Sequence, residues 1–166
     1  MTEVPMRVCL RPCTVDDMPL ILAWRNNPLL YKTLYTQGYQ GKGLISWEEH
    51  YSWWESHGNL QRRIIWVTDS TGTRSVGYIQ FADWGDGVAD IGIYIGEITL
   101  WGKGIGRRAL TIAMADLRDM GTKVVRADVV ISNVASQRMF ESLGFSKVAG
   151  RREGECSYQR GLGNLV

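Results

Sequence analysis

The sequence predicts a mixed α/β domain: a central twisted sheet of about six to seven strands with about four helices around it. Three observations predict it. Short β-branched and aromatic runs alternate with helical stretches in the order β-α-α-β-β-β-α-β-α-β, and the last run is long enough to fold back as one more strand. A glycine-rich stretch, "LWGKGIGRRAL" at residues 100–110, leads from a strand-like run into a long helical pattern and on to a buried strand, a crossover that implies a parallel strand pair. A chain of 166 residues, 45% apolar and 22% charged, builds one core, so residues 1–166 are read as a single domain.

"RVCLRP" is a short strand stopped by Pro12, and Thr14 with Asp16 and Asp17 starts a helix running through "MPLILAWRNN" to Pro28. "YKTLYTQGYQGKG" has turn chemistry without periodicity and is expected to be a mobile loop. Ser46, followed by Glu48 and Glu49, caps a second helix that closes near Gly58. "RRIIWVTD" and "SVGYIQFADW", parted by "STGTR", form a hairpin, and "VADIGIYIG" extends the meander. From Gly102 to Met120, Ile105, Ala109, Ile112, Ala113 and Leu117 recur at helical spacing, and Gly121 ends the run. "KVVRADVVI" is a buried strand, "SNVASQRMFESLG" a helix, and "FSKVAGRREGECSYQR" a last strand or hairpin.

Composition excludes several classes. No apolar run approaches the ~20 residues of a membrane span, and the start lacks the regions of a signal peptide, so no membrane partner and a cytoplasmic location are expected. Cys9, Cys13 and Cys156 include no CxxC pair and are read as reduced thiols. His50 and His57, without partners at ligand spacing, are read as ordinary surface histidines, and no metal is expected. A net charge of +2 argues against a nucleic-acid groove, although Arg151 and Arg152 could meet phosphates locally.

The glycines carry the chemistry. Unpaired N–H groups at a helix start hold the positive end of its dipole, and glycines let an anion approach that backbone closely. The stretch lacks the GK[ST] ending of a Walker loop. It follows the fourth strand, unlike a Rossmann fingerprint.

"WGKGIG" after "IGIYIG", with "ISNVASQRMFESLGF" at the end of the next strand, resembles the GNAT superfamily of acetyl-CoA-dependent N-acetyltransferases over nearly the whole chain, the N-terminal "LRPCTVDDMPLILAWRNNP" included. In the family pattern Q/R-x-x-G-x-G/A, Trp101 stands in the Q/R place with Gly104 and Gly106 matching, as in the branch containing ribosomal-protein N-terminal acetyltransferases. The resemblance implies that backbone amides across Gly102, Lys103, Gly104, Ile105, Gly106 and Arg107 hold the pyrophosphate of acetyl-CoA. It implies further that Ile93, Tyr94 and Ile95 offer strand-edge backbone to the pantetheine arm, on parallel strands that part near their ends. Asn133, which also reads as a helix N-cap, matches the family asparagine that contacts the cofactor, and Ser136 and Phe140 follow it along the same wall.

Acetyl transfer from a thioester to an amine needs a neutral amine, a stabilised oxyanion and a proton for the departing thiolate, with coenzyme A as product. A strand N–H near Ile95 is a plausible oxyanion donor. Asp90 stands eleven residues before Trp101, the place of the histone acetyltransferase glutamate, and Asp128 five before Asn133, the place of the acid in bacterial N-terminal acetyltransferases. Each has the alternative of a hydrogen-bonded strand-end aspartate, and each would work through water. Where many members carry a tyrosine acid, this chain has Phe140, which has no proton to give. Ser136 and Glu155 match groups implicated in the ribosomal-protein branch, and solvent can also protonate a thiolate.

The acceptor remains open between classes. Trp24, Arg25 and Tyr31 border the helix-to-loop junction over the cleft, with Trp47 and Gln80 from "ISWEEH" and "VGYIQF" as further contacts, while most other aromatics of the N-terminal half belong in the core. "AWRNNP", "ISWEEH", "VGYIQF" and "IGIYIGEITLWGKGIG" together are similar to acetyltransferases that modify nucleotide-linked 4-amino sugars on the route to pseudaminic acid. There, aromatic faces and Arg25 would suit uracil and phosphate. The alternatives are a peptide α-amine acetyltransferase and a non-catalytic acyl-CoA sensor, the latter encouraged by Phe140. The resemblance also implies a homodimer, since apolar and aromatic strands at the C-terminal edge often pair between subunits in this family.

Overall fold

One seven-stranded sheet organises the chain, in the spatial order β1-β2-β3-β4-β5-β7-β6. The computed structural model describes residues 4–163. Its strands are β1 (Arg7–Pro12), β2 (Gln61–Asp69), β3 (Gly72–Asp83), β4 (Val88–Ile95), β5 (Val124–Val130), β6 (Ser146–Val148) and β7 (Glu155–Gly161). Its α-helices are α1 (Met18–Arg25), the single turn α2 (Pro28–Tyr31), α3 (Trp47–Ser56), α4 (Ile105–Asp119) and α5 (Val134–Ser142). All neighbouring strands are antiparallel except β4 and β5, which run parallel through the α4 crossover. No helix of the described residues is long and apolar enough to cross a membrane.

Local chemistry sets the boundaries. Asp17 accepts from the Thr14 N–H at 2.8 Å and from Arg11 at 2.7 and 2.9 Å, fixing the entry to α1. The helix read as running to Pro28 stops at Arg25, because Asn27 opens a new turn, its side chain accepting from the Leu29 N–H at 3.0 Å with Pro28 in the first position. Ser46 and Glu49 cap α3 reciprocally, each side chain accepting the other's backbone N–H at 3.1 Å. The turn between β2 and β3 is tighter than the sequence implied: Asp69 holds Thr71 at 2.8 Å and the strands continue to within two residues of each other.

The segment expected to be a mobile loop is instead pinned. Residues Tyr35–Tyr39 form a π-helical turn, and Gln37 is buried at its centre. The Gln37 amide donates to the carbonyls of Arg25 and Gly43, both at 2.9 Å, and its oxygen accepts from Arg25 Nε at 3.1 Å. One glutamine therefore ties both ends of the connection to the end of α1.

Two apolar clusters sandwich the sheet. On one face α4 and α5 bury Ile105, Ala109, Leu110, Leu117 and Phe140 against Ile91, Val125, Val129 and Tyr158. Each large side chain so buried contributes roughly 1.5–3 kcal/mol. On the other, Ile21, Trp24 and Leu30 pack on Ile64 and Tyr78. Because strand side chains alternate, the face opposite α4 receives Asp90, Gly92 and Tyr94 from β4, Asp128 and Val130 from β5, and Glu155 and Ser157 from β7.

Candidate active site

The β4–β5 ladder is short. It pairs Val88 with Val124, Ala89 with Val125 and Asp90 with Arg126, and ends there. Beyond that point β4 is paired only to β3 and β5 only to β7, so residues 91–95 and 127–130 diverge as a fork. The expected parting of the parallel strands is present, and a peptide edge is left free inside it.

A groove of about 470 Å³ fills one side of the fork. Of the residues expected at the cofactor, Ile93, Tyr94, Ile95, Trp101, Gly102, Lys103, Gly104, Ile105, Gly106, Arg107, Asn133 and Ser136 all line it. Phe140 does not: it is buried between Phe145 and Tyr158 and borders the second cavity instead. Gly102 and Gly104 have φ of 76° and 77°, in the left-handed region, and a Cβ at either would meet no heavy atom within 4 Å. The helix itself starts at Ile105, three residues later than its apolar spacing implied, with Gly104 as its N-cap. Arg108 donates the first helical bond, to the Gly104 carbonyl at 3.2 Å, so the N–H groups of Ile105, Gly106 and Arg107 precede the ladder. Lys103, Arg107 and Arg138 rim the groove, and none makes a salt bridge among the described residues. Bare backbone, unpaired amides, three uncompensated cations and a free strand edge fit a long ligand with a polyanionic head. Trp101 Nε1 donates to the Ile95 carbonyl at 2.8 Å, which fastens the loop to the tip of β4. Asn133 caps α5, its side chain accepting from the Ser136 N–H at 3.2 Å, while still lining the groove.

A second cavity, of about 270 Å³, lies across the fork and shares Thr33, Ile93, Tyr94, Asn133 and Ser136 with the groove. Arg25 and Gln80 line it as expected, Gln80 accepting from the Tyr78 hydroxyl at 2.8 Å. Three expected acceptor contacts do not reach it. Trp24 is buried under Gly96 with its Nε1 donating to Glu97 at 3.1 Å, Tyr31 lines neither cavity, and Trp47 is 42% exposed and stacks on Tyr51. The helical phase of α3 turns Trp53, Trp54 and His50 inward instead. His50, read as a surface histidine, is 1% exposed, and neither ring nitrogen has a hydrogen-bond partner. Burial, then the charge of Arg25, holds its pKa below the ordinary range. The Arg25 guanidinium lies 5.9 Å from the Trp53 ring and, past its Nε bond to Gln37, has no carboxylate partner among the described residues.

The acids are differently placed from their expected roles. Asp90 lines neither cavity: Arg151 grips its two oxygens at 3.0 and 3.2 Å and Trp84 Nε1 donates at 3.1 Å. It is a hydrogen-bonded carboxylate near the start of β4. Asp128 borders the second cavity but is also held by Arg151, at 2.6 Å, and by the Ser157 hydroxyl, at 2.6 Å. Burial alone would lower the pKa of Arg151, yet its hydrogen bonds to Asp128 and Asp90 outweigh that and shift it upward. Glu155, whose side chain is 3% exposed, takes two bonds from Arg152 at 2.7 and 2.8 Å. Arg152 lies 3.7 Å from the Tyr35 ring centre, and Tyr39 covers Gly154, so the pinned turn roofs the second cavity. Arg151 and Arg152, read as possible phosphate contacts, are thus both committed to carboxylates.

Sequence reasoning missed His50, Trp53, Arg138 and the two arginine bridges. A phase count on α3 puts His50, Trp53 and Trp54 on one face, and that was the available signal. The Arg151 bridges had no local signal, since they join residues 23 and 61 positions apart, whereas Arg152 and Glu155 are only three apart.

The acetyltransferase (GNAT) domain family profile matches residues 7–146. An uncharacterized protein of Methanocaldococcus jannaschii is 39% identical over 94% of this chain, which spans only 31% of that protein's length. The solved structure of a domain from that organism superposes with a TM-score of 0.89 at 39% identity, covering 95% of this chain and all of that one. An L-amino acid N-acyltransferase of Escherichia coli K12 is 28% identical over 69% of this chain and 68% of its own. A putative acetyltransferase of Salmonella typhimurium, solved with acetyl-CoA, shares the fold at a TM-score of 0.70 and 21% identity, over 96% of both chains. With the fork, the glycine cradle and the profile match in agreement, the chain belongs to the GNAT acetyltransferase domain family.

Proposed function

We propose that the chain acetylates a primary amine of a small molecule, the first candidate being the 4-amino group of a nucleotide-linked sugar. The observation that carries this reading is the meeting of two cavities at the fork, with Thr33, Ile93, Tyr94, Asn133 and Ser136 common to both. Acetyl-CoA supplies the activated acetyl thioester. The amides from Gly102 to Arg107, with Lys103, Arg107 and Arg138, hold its phosphates. The β4 edge at Ile93 and Tyr94 aligns the arm, and backbone N–H groups near Ile95 face the developing oxyanion. Ser136, at the junction, is the hydroxyl placed to protonate the leaving sulfur. Asp128 and Glu155 are the carboxylates bordering the acceptor cavity, and they receive the ammonium proton through water.

Arg25 and the Trp53 and Trp54 faces hold the anionic and planar parts of the acceptor. The Tyr35 and Arg152 roof disfavours a slot open at both ends, and with it a peptide N-terminus. A second reading, an amino acid acceptor, is favoured by the same unpaired Arg25, which suits an α-carboxylate as it suits a phosphate, and by the name of the E. coli relative. Acetyl-CoA consumption against nucleotide-linked amino sugars, amino acids, polyamines and peptides tests both. Turnover of nucleotide amino sugars with a ≥10-fold KM increase in Arg25→Met supports the first reading, turnover of amino acids alone selects the second, and turnover of peptides alone overturns both. A dimer through the C-terminal edge is part of the proposal, and light scattering that finds only monomer removes it.

A further inference from the structure

We propose that Arg151 is a positioning residue that sets the opening of the cofactor fork by bridging β4 and β5 at the point where their ladder ends. Asp90 belongs to the last ladder pair, and Asp128 stands two residues further along β5 on the same face. One guanidinium holds both, at 3.0 and 3.2 Å to Asp90 and 2.6 and 3.4 Å to Asp128. Arg126, although it is the register partner of Asp90, makes no ion pair with it among the described residues. The bridge comes instead from the loop between β6 and β7, and it is anchored there: the Arg151 backbone N–H donates to Ser157 Oγ at 3.3 Å, and Ser157 donates on to Asp128. Trp84 holds the far side of Asp90.

The arrangement opposes two tendencies. Past the last ladder pair no backbone bond joins β4 to β5, so the angle of the fork is left to side-chain contacts and to the helix packed across it. Two carboxylates facing each other across it would drive the strands apart, since like charges at close range repel strongly where water is partly excluded. A single cation shared between them turns that repulsion into a tie of fixed length. The width of the fork decides whether a strand-like arm fits between the two edges, so the tie acts on cofactor affinity through the sheet while Arg151 itself lines neither cavity. This rests on the cofactor reading above only for its functional consequence; the tie itself is a property of the apo sheet.

Two measurements separate those parts. Hydrogen exchange on the protein without ligand should show the amides of residues 88–90 and 124–126 exchanging at least tenfold faster in Arg151→Met, with Arg151→Lys intermediate. Calorimetry with coenzyme A should show about tenfold weaker binding in Arg151→Met. The triple variant Asp90→Asn, Asp128→Asn, Arg151→Met removes the repulsion together with the tie, and it should return both readouts to within threefold of the parent. Should Arg151→Met fail to fold, the triple variant and Arg151→Lys carry the comparison. Unchanged exchange at the fork in Arg151→Met overturns the tie, and so does a triple variant no better than the single one, which would mean that Arg151 acts by packing alone. If the parent binds no coenzyme A, the cofactor reading fails while the exchange experiment still decides the tie. Changed exchange with unchanged coenzyme A affinity overturns the coupling between tie and cofactor.

Discussion

Replacing Gly104 by valine tests the cofactor cradle at its most exposed point. The backbone there has φ 77° and ψ 10°, and an added Cβ meets nothing within 4 Å, so the cost is conformational and not a clash. An L-residue in the left-handed region costs about 1–2 kcal/mol, at the upper end for a β-branched side chain. For a chain of this length that lowers Tm by roughly 2–8 °C, leaving a folded protein. Binding should suffer more. Relief of the strain rotates the peptide planes that open α4, and losing two charge-assisted hydrogen bonds at about 1.5–3 kcal/mol each weakens coenzyme A by at least about 100-fold. Gly104→Asn is the control, because asparagine tolerates this conformation, and its stability should stay near the parent's. Calorimetry with coenzyme A, alongside thermal unfolding of each variant, reads both quantities. A folded Gly104→Val that binds coenzyme A as the parent does would refute the assignment.

Three further outcomes are expected. Gly96→Ala places a methyl inside the ring of Trp24, whose indole is tied to Glu97, and should cost about 1–3 kcal/mol or more in urea unfolding; a neutral substitution would contradict the packing of that face. The hydrogen bond from Arg11 holds Asp17 below the usual carboxylate range, so its stabilisation is complete above about pH 4, where the unfolded side chain is ionised, and is lost as pH falls through the lowered folded value. Parent stability should therefore drop more steeply than that of Arg11→Met between pH 4 and pH 2.5, and parallel curves would remove the linkage. Burial, and then Asp17, pushes the Cys13 thiol up to about 12, so iodoacetamide at pH 8 should modify it only after unfolding; equal native and unfolded rates would show the thiol to be accessible and ionisable.

The order of elements and the glycine cradle were legible because both are written in neighbouring residues. Hydrophobic period marks strands and helices, and positive φ followed by free amides demands glycine at Gly102 and Gly104 whatever surrounds them. The acceptor side was legible only in part. Arg25 and Gln80 reach the cavity, but Trp24, placed by its position at the helix-to-loop junction, and Trp47, placed by its motif, do not, because side-chain direction depends on helical phase and on which face meets the sheet. Gln37 reads as a turn residue in a polar stretch; its burial follows from three groups that the fold brings around it. Asp90 and Asp128 were correctly placed on adjacent strands. Their occupation by Arg151 was invisible, because a loop arginine reveals its partner only once β7 has been laid beside β5.

The loop carrying Arg151 and Arg152 has a reading frame. The two side chains leave a single exposed turn in divergent directions, one to the β4 and β5 carboxylates and the other to Glu155 and the Tyr35 ring. Surface loops ordinarily absorb insertions and deletions at little cost. Removing Glu153 here would shift the chain by one place relative to β7, bringing Arg151 to the second station and Gly150 to the first, where Asp90 and Asp128 would face each other with no cation between them. A one-residue change of length would thus act as the removal of a charge, and electrostatics hold this turn to a fixed residue count.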